Sequence, residues 1–350
     1  MGVGEEVASG TSISQIALPN CPEKCGDVAI PYPFGIGDGC YYDHPVDGLF
    51  YNITCDYSKV PPVPTYGPDI EIVNIILDGE FRILNQNSYV CYDRFGNLTN
   101  DYWNWIGIST FALSTTQNIA GAIGCDTFGS FSGTGSTSII TRSKFQSGCL
   151  TGCSNQTGVG NKCSGTGCCL ASIPDGITDV RVSAGSFNNH VSVQGFNPCS
   201  VTFVVAKDLV AGNELPFSVQ SILTQDVTYF ENRTNFLFPM VYNWSIGTNN
   251  CDSDGEYYLC KNNSVCFDHL PGLWGYRCRC NDGFQGNPYL THCQDIDECA
   301  DNSLNSCEKQ EYCVNSHGSY KCTCPTGYYG SATKDDPCMI EGHTAIKTIV

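Results

Sequence analysis

Residues 295–324 read DIDECADNSLNSCEKQEYCVNSHGSYKCTC, and this stretch decides the fold of the C-terminal part of the chain. The six cysteines from Cys299 to Cys338 are separated by 7, 5, 8, 1 and 13 residues, and those from Cys251 to Cys293 by 8, 5, 11, 1 and 12. The two sets of six cysteines have similar spacings, with one C-x-C at the same place in each. This indicates an internal repeat with a period of about 48 residues. Units this small bury too little apolar surface to be stable alone, so disulfides must stabilise them.

The cysteine count and the charge exclude several classes of protein. The chain of 350 residues has 24 cysteines, twelve of them between Cys21 and Cys199. Cytosolic thiols are kept reduced, so this content indicates an extracellular or secreted disulfide protein. A zinc site is the alternative for C-x-C, but no C-x-x-C pair or histidine cluster completes one. The net charge of −18 argues against a nucleic-acid partner, and no apolar run is long enough to span a bilayer.

The chain between the first and last N-terminal cysteines has the pattern of short strands. Residues 69–77 and 80–84 alternate polar and apolar around an Asp-Gly pair, which predicts a β-hairpin. The apolar runs at 177–182, 201–205 and 236–241 are further strand candidates. No stripe with a 3.6-residue period has the length of a helix. We therefore predict a mainly β, disulfide-rich fold, with N-terminal cysteine-rich β domains followed by two small tandem modules.

Composition suggests where these domains begin and end. The first residues carry Glu5 and Glu6 and no apolar core of a signal peptide. The predicted segments are, in order, a leader or engineered remnant at 1–20, a cysteine-rich domain at 21–128, a Gly/Ser-rich linker and strand at 129–148, a second cysteine-rich β segment at 149–248, a first module at 249–294, a second module at 295–338 and a juxtamembrane stalk at 339–350.

The spacing of the last twelve cysteines resembles that of epidermal-growth-factor-like (EGF-like) modules. Spacing alone leaves 15 possible pairings in each unit. The resemblance implies pairing of the first cysteine with the third, the second with the fourth and the fifth with the sixth. The implied disulfides are Cys251–Cys266, Cys260–Cys278, Cys280–Cys293, Cys299–Cys313, Cys307–Cys322 and Cys324–Cys338.

The second module also resembles the calcium-binding subclass, through D-x-D-E-C before Cys299 and C-x-N-x4-Y-x-C from Cys313. Ca²⁺ prefers six to eight oxygen ligands. The resemblance implies side-chain oxygens from Asp295, Glu298 and Asn315, and backbone carbonyls from Ile296, Ser316 and Ser319. Asp297 would be a neighbour of the ion only. The alternative is a solvated acidic linker, which does not explain Asn315 and Tyr320 at matching offsets. A structural Ca²⁺ there would stiffen the junction of the two modules.

The N-terminal half resembles the galacturonan-binding domain of plant wall-associated receptor kinases. The resemblance rests on residues 21–27, 30–36 and 50–55, on residues 165–169 and 196–200 in a second cysteine-rich segment, and on residues 283–290 before the calcium module. It implies a receptor ectodomain that a membrane helix and a cytoplasmic Ser/Thr kinase follow in the intact protein. This chain has no D-F-G or H-R-D motif, so we expect no enzymatic activity of its own.

Pectin is the ligand that this resemblance implies. Aromatic rings suit sugar faces, and Arg or Lys suits the carboxylates of galacturonate. The densest aromatic cluster and the arginines nearest to it in sequence give the candidates Arg82, Arg94, Tyr102, Trp103 and Trp105, with Lys24, Arg142 and Lys144 as further cations. The alternative is that Trp103 and Trp105 face a core. Residues 1–250 hold 10 basic and 21 acidic residues, so a local basic patch or bridging Ca²⁺ would be needed.

Six N-x-S/T sequons predict glycosylated surface loops. They begin at Asn52, Asn97, Asn155, Asn232, Asn243 and Asn262. A ligand-binding face must avoid those that carry a glycan.

The favoured function is a ligand-binding receptor ectodomain at the extracellular face of the plasma membrane, with the present chain itself soluble and secreted. Its partners would be pectin fragments or an extracellular peptide or protein, with a co-receptor or a second copy for signalling. A structural matrix or adhesion protein is the alternative. A glycosidase with paired carboxylates is a third possibility, although no spacing marks such a pair.

Overall fold

The structure, a computed structural model, describes residues 15–43, 51–108, 111–136, 142–174, 177–232, 235–252, 258–268 and 274–340. The chain divides into two compact units, of which the larger comprises Ala17–Tyr258 and Phe267–Arg277. The described part of the smaller unit comprises residues 15–16, Leu259–Cys266 and 278–340. Most of the predicted leader and all but two residues of the predicted stalk lie outside the described residues.

The described elements are mainly strands, which confirms the predicted fold class. Strands β1 to β17 span Lys24–Cys25, Val28–Ala29, Thr54–Asp56, Val63–Tyr66, Ile70–Ile75, Glu80–Gln86, Ser88–Tyr92, Leu98–Tyr102, Asn104–Gly107, Ala112–Leu113, Asn118–Ile123, Asp126–Ser136, Arg142–Gly152, Cys168–Ala171, Ile177–Gly185, Cys199–Ala206 and Leu237–Asn243. Strands β18 to β25 span Ser264–Phe267, Arg277–Cys280, Phe284–Gln285, Gln294–Asp295, Cys313–Ser316, Ser319–Cys322, Tyr328–Tyr329 and Met339–Ile340. The helices are short: α1 spans Val219–Leu223 and α2 spans Val227–Glu231, with 3₁₀ turns at Lys207–Leu209 and Gln310–Tyr312.

The first large sheet has the strand order β10-β17-β6-β5-β4-β3 and contains the predicted hairpin as β5 and β6. An aromatic cluster packs beneath it, in which the Phe34 ring lies 5.3 Å from Tyr51, 5.4 Å from Phe81 and 5.2 Å from Trp244 between centroids. The indole N–H of Trp244 donates to the Ile76 carbonyl at 3.1 Å, and the Tyr51 hydroxyl donates to the Ser245 carbonyl at 2.6 Å. Trp244 and Tyr51 thus keep their polar groups satisfied although they are buried, and the cluster joins the start of the unit to its end.

The second sheet, β14-β11-β16-β7-β8, has the main hydrophobic core on one face. Every residue of β16 is buried, as expected for a continuous apolar run covered on both faces. Its alternate residues Val201, Phe203 and Val205 face the core, together with Val219 and Phe230 of the two helices. The helices begin at side-chain caps: Ser218 accepts from a backbone N–H of α1 and Asp226 from two of α2.

The third sheet has the strand order β13-β12-β15-β9. Residues 129–136 lie within β12 and pair with a strand on each side. The predicted linker at 129–148 is therefore wrong for these residues. Glycine serves close packing here rather than flexibility. A Cβ on Gly129 would lie 2.9 Å from the Ala122 side chain, and one on Gly133 would lie 2.1 Å from the Asp179 carbonyl oxygen. The composition of the run misled the prediction because Gly, Ser and Thr are also typical of loops.

Strand pairing also joins the two N-terminal segments that were predicted as separate. Strand β6 pairs with β17, and β7 pairs with β16. Each pair takes one strand from before the predicted linker and one from after it. The two segments therefore form one compact unit with interlocked sheets.

The disulfides of the larger unit reinforce this interlocking. The pairs among the first twelve cysteines are Cys21–Cys40, Cys25–Cys55, Cys91–Cys199, Cys125–Cys153, Cys149–Cys169 and Cys163–Cys168. The neighbours Cys168 and Cys169 take separate partners, as the strain of a bridge between adjacent residues predicts. Cys91–Cys199 joins β7 to β16 across 108 residues of sequence, so it ties together the two halves of the unit.

A buried histidine gives the larger unit a dependence on pH. His190 is fully buried, with Nδ1 2.5 Å from the Asn197 carbonyl and Nε2 2.6 Å from the Ser200 hydroxyl. Burial lowers the pKa of His190, and the Asn197 carbonyl and the Asp126 carboxylate oppose this effect without cancelling it. His190 therefore binds a proton less readily in the folded state than a histidine does in the unfolded chain.

We expect the larger unit to lose stability as the pH falls below about 6.5, the usual pKa of an unfolded histidine. The sign follows because the unfolded state binds more protons in this window than the folded state. Urea unfolding at pH 7.5 and pH 5.5 measures the effect, and His190→Gln should reduce the difference between the two midpoints. His292→Gln, at an exposed site, is the control. An equal pH dependence in the wild type and in His190→Gln would contradict the assignment.

Candidate functional site

The smaller unit is built around short hairpins and disulfides. The structure pairs Cys260 with Cys278 and Cys280 with Cys293 in the first module, and it pairs Cys299 with Cys313, Cys307 with Cys322 and Cys324 with Cys338 in the second. Cys251 and Cys266 are also disulfide-bonded. The fully buried Tyr289 accepts a hydrogen bond from the Cys278 N–H at 2.9 Å, which anchors a loop of the first module.

Two of the predicted calcium ligands, Asp295 and Asn315, lie in contact at the junction of the two modules. Asp295, at the end of β21, accepts hydrogen bonds from the Gly318 N–H and, at 2.9 Å, from the Asn315 side-chain amide. These two bonds, the Gly318 bond first, hold the pKa of the Asp295 carboxyl below its usual range, so it stays ionised in mildly acidic surroundings. Asn315 and Ser316 lie on β22 opposite Tyr320 and Ser319 of β23. The hairpin thus places an amide, a carboxylate and two backbone segments together.

Glu298 supplies the second carboxylate of the predicted set. Its side chain is only 8% exposed, and its Oε2 atom is buried without a hydrogen-bond partner. A buried ionised carboxylate is costly unless a charge or a donor compensates it. Asp297, which is predicted to be only a neighbour of the ion, accepts a hydrogen bond from the Cys299 N–H at 3.1 Å.

This set of residues fits Ca²⁺ in both charge and donor type. The described residues hold no cluster of three or more His, Cys, Asp or Glu able to bind a metal. The predicted calcium set would not form such a cluster, because only two of its members are carboxylates. The others are an amide and backbone carbonyls, which are also hard oxygen donors of the kind that Ca²⁺ prefers. The orphaned Glu298 oxygen is the observation that most calls for a cation.

The two modules also pack directly at this junction. The Ile296 N–H donates to the Gly283 carbonyl at 2.9 Å, and the Phe284 ring meets the His317 ring edge-on at 4.9 Å. A Cβ on Gly283 would lie 2.1 Å from the Gly318 carbonyl oxygen, and the φ of Gly283 is +79°. Only glycine allows the backbones to approach so closely here.

The aromatic cluster of the larger unit lies at the surface. Trp103 is 51% exposed and Trp105 is 66% exposed, so the alternative that they face a core is wrong. Their spacing of two places both on one face of the chain around β9. That strand pairs with β15 at one edge of the third sheet, so its side chains have a neighbouring strand on one side only.

The structure brings a different arginine to this cluster than the two predicted. The Arg181 guanidinium lies 4.4 Å from the centroid of the Trp103 ring, and Arg181 is exposed. Arg82 instead forms ion pairs with Asp208 at 2.9 Å and Glu80 at 3.8 Å, so its charge is compensated. Sequence reasoning missed Arg181 because it lies 78 residues beyond Trp103 and reaches it only through the pairing of β9 with β15.

The remaining candidates have separate surroundings. Arg94 lies 4.7 Å from the centroid of the Phe95 ring, and half-buried Tyr102 stacks on Tyr89 at 6.1 Å. Lys24 is exposed on β1. Arg142 and Lys144 lie in β13, and their side chains are outside the described part of the structure.

Five of the six sequon asparagines are exposed in the structure. The exception is Asn243, which lies half-buried in β17 between two paired strands. Its sequon continues into Trp244 and Ser245, which are both buried. The prediction of a surface loop is therefore wrong for Asn243, because a sequon reports a three-residue pattern and not the sheet around it.

Two family models match parts of the chain. Residues 21–85 match "Wall-associated receptor kinase galacturonan-binding", and residues 295–338 match "Calcium-binding EGF domain". Both are binding modules and not catalytic domains. No helix among the described residues is long and apolar enough to cross a membrane.

Curated relatives match most of the chain. Wall-associated receptor kinases 2 and 5 of Arabidopsis thaliana are each 36% identical to it over 88% of the chain, which corresponds to 38% and 39% of their own lengths. Wall-associated receptor kinase 4 of the same plant is 31% identical over 94% of the chain and 43% of its own length. The chain thus spans about two fifths of these relatives. No solved structure matches it. With its disulfide-rich β fold and two matched modules in this order, the chain is similar over most of its length to the extracellular region of wall-associated receptor kinases.

Proposed function

We propose that this chain is the ligand-binding ectodomain of a plant cell-surface receptor-like Ser/Thr kinase that senses pectin fragments. The match of residues 21–85 to the galacturonan-binding model carries this proposal. The kinase would lie in the part of the protein that the relatives have beyond the length of this chain. Signalling would then require a change in proximity between receptors, through a second copy or a co-receptor.

The exposed pair of Trp103 and Arg181 supports galacturonate as a ligand. An indole face suits the C–H face of a sugar ring, and a guanidinium beside it suits the carboxylate of the same residue or of the next one. The pair belongs to the same compact unit as residues 21–85. Within that matched segment the exposed cations of the described part are Lys24 and Lys59, so a long polyanion would have several separate contacts.

Calcium is proposed to act as a structural ion in the second module. Asp295, Glu298 and Asn315 would hold it with side-chain oxygens, and Ile296, Ser316 and Ser319 with backbone carbonyls. An ion held there would fix Asp295 and the hairpin of β22 and β23 relative to each other. Because Asp295 also pairs with Phe284 of the first module, the ion would stiffen the junction between the modules.

We expect Arg181→Gln to weaken the binding of short oligogalacturonates by roughly three- to tenfold, since one charge-assisted contact is lost. The measurement is titration calorimetry on the whole chain, with and without Ca²⁺ and at two salt concentrations, because an ionic contact weakens as salt rises. Lys207→Gln removes an equal charge at an exposed site and serves as the control.

The same titration decides between ligands. Equal affinities for the wild type and for Arg181→Gln would remove this arginine from the proposed site. If the wild type does not bind oligogalacturonate with or without Ca²⁺, the pectin proposal fails and a peptide or protein ligand is favoured.

A further inference from the structure

A groove of about 390 Å³ lies between the third sheet and the first sheet of the larger unit. Its walls come from β5, β6, β8, β9 and β17, and we call it the Trp105 groove after its most exposed aromatic side chain. The side chains that matter for binding are Glu71, Gln86, Tyr102, Asn104, Trp105 and Tyr242. All of them belong to the one compact unit, so the groove lies within a single body of the structure.

Tyr242 is the feature of the groove that the fold itself does not explain. Its side chain is fully buried, and its hydroxyl has no hydrogen-bond partner. Burial raises the pKa of Tyr242 far above its ordinary value, with a smaller contribution from the Asp179 carboxylate, so the hydroxyl keeps its proton and can donate. A buried polar group without a partner is costly and uncommon in native proteins. Because the hydroxyl has almost no accessible surface, a ligand hydroxyl in the groove would satisfy it after a small shift of the groove wall.

The other polar groups of the groove also suit hydroxyl groups. Asn104 is held in place by its amide group, which donates to the Asn85 side chain at 3.0 Å and to the Gln86 carbonyl at 2.5 Å. The side-chain amide of Gln86 makes no hydrogen bond in the described structure and can both donate and accept. The exposed face of Trp105 offers a platform for the apolar face of a sugar ring.

The charge of the groove distinguishes its ligand from galacturonate. Asp69 and Glu71 contribute carboxylates, and no Lys, Arg or His is among the described residues that line it. A uronate would bring like charges together there, whereas carboxylates accept hydrogen bonds from sugar hydroxyls. Arg181 is opposite Trp105 on the neighbouring strand, but its guanidinium lies over Trp103 and is not part of the lining.

We propose that the Trp105 groove binds a neutral, hydroxyl-rich saccharide, and that the neighbouring pair of Trp103 and Arg181 is not part of its lining. Trp105 would stack on one sugar ring, Gln86 and Glu71 would bind its hydroxyls, and Tyr242 would donate to a hydroxyl at the base of the groove. The larger unit of the receptor would then bind both a neutral wall polysaccharide and an acidic one. This proposal does not depend on galacturonate binding.

The test is a calorimetric titration of the whole chain with short neutral oligosaccharides built from glucose, xylose, galactose or mannose. We expect at least one of them to bind, Trp105→Ala to weaken it by at least about tenfold, and Tyr242→Phe by roughly three- to tenfold. Tyr242→Phe should not lower the urea midpoint, because it removes a hydroxyl that has no partner in the fold. Tyr57→Ala removes an aromatic side chain of similar exposure outside the groove lining, and this control should leave the binding unchanged.

The outcomes separate this proposal from the pectin one. The groove is not a neutral saccharide site if no neutral oligosaccharide binds at millimolar concentration, or if binding survives Trp105→Ala. Binding of a lysine-rich peptide that Trp105→Ala abolishes, without saccharide binding, would assign the groove to a basic peptide and overturn the proposal. Loss of oligogalacturonate binding in Arg181→Gln but not in Trp105→Ala would support two separate sites.

Discussion

Replacing Cys91 and Cys199 together with Ala is expected to lower the free energy of unfolding of the larger unit by about 4–5 kcal/mol. The bond links residues 108 positions apart. In the chain-entropy relation, a cross-link that closes a loop of about 100 residues contributes about 4.7 kcal/mol by restricting the unfolded state. Both cysteines are at most 3% exposed, so the bond also lies inside the core.

The matched control is the double replacement of Cys163 and Cys168. This bond spans only 5 positions, and its cysteines are also buried. The same relation gives about 2 kcal/mol for it. Urea unfolding followed by tryptophan fluorescence measures both losses, because Trp103, Trp105, Trp244 and Trp274 all belong to the larger unit. Equal losses in the two variants would mean that packing around the cysteines, and not loop length, sets the effect.

Glu298→Gln is expected to reduce the calcium affinity of the chain by at least about tenfold, or about 1.4 kcal/mol. The change removes one of two carboxylates from a set of hard oxygen donors. It should leave the calcium-free chain at least as stable as the wild type, because it removes a buried charge whose Oε2 atom has no partner. Calorimetric titration with Ca²⁺ and proteolysis of the junction, each with and without chelator, measure the two effects.

Glu311→Gln, an exposed substitution in the same module, serves as the control for charge alone. An affinity that falls equally in both variants would show a general charge effect and not a ligand. Absence of heat at millimolar Ca²⁺ in the wild type would contradict the calcium proposal as a whole.

The sequence predicted the smaller unit in the most detail because its geometry is local. The predicted ligands Asp295, Glu298 and Asn315 lie within 21 residues of one another, and the hairpin of β22 and β23 brings Asn315 to Asp295. Disulfides and turns fix such a module with little help from distant chain segments. Cysteine spacing and a few oxygen-bearing side chains therefore contained most of the information.

The larger unit was predictable only at the level of its strands. The hairpin of β5 and β6 and the buried strand β16 follow from alternation and from apolar runs. The run at 129–136 was misread, since glycine that lets two sheets approach has the same composition as glycine in a loop. The pairing of β7 with β16 joins residues more than a hundred positions apart, and no local pattern encodes it.

The sequence by itself determined the secretory environment, the mainly β class and the two disulfide modules. The tertiary structure determined which charged side chains lie beside which aromatic rings or counter-charges. It places Arg181 over Trp103, pairs Arg82 with Asp208, and leaves the Tyr242 hydroxyl unsatisfied beside Trp105. The physical reason is the sequence separation of the residues that come into contact. Contacts within one small module are determined by residues close in sequence, whereas a surface made by two sheets depends on strand register across the whole unit.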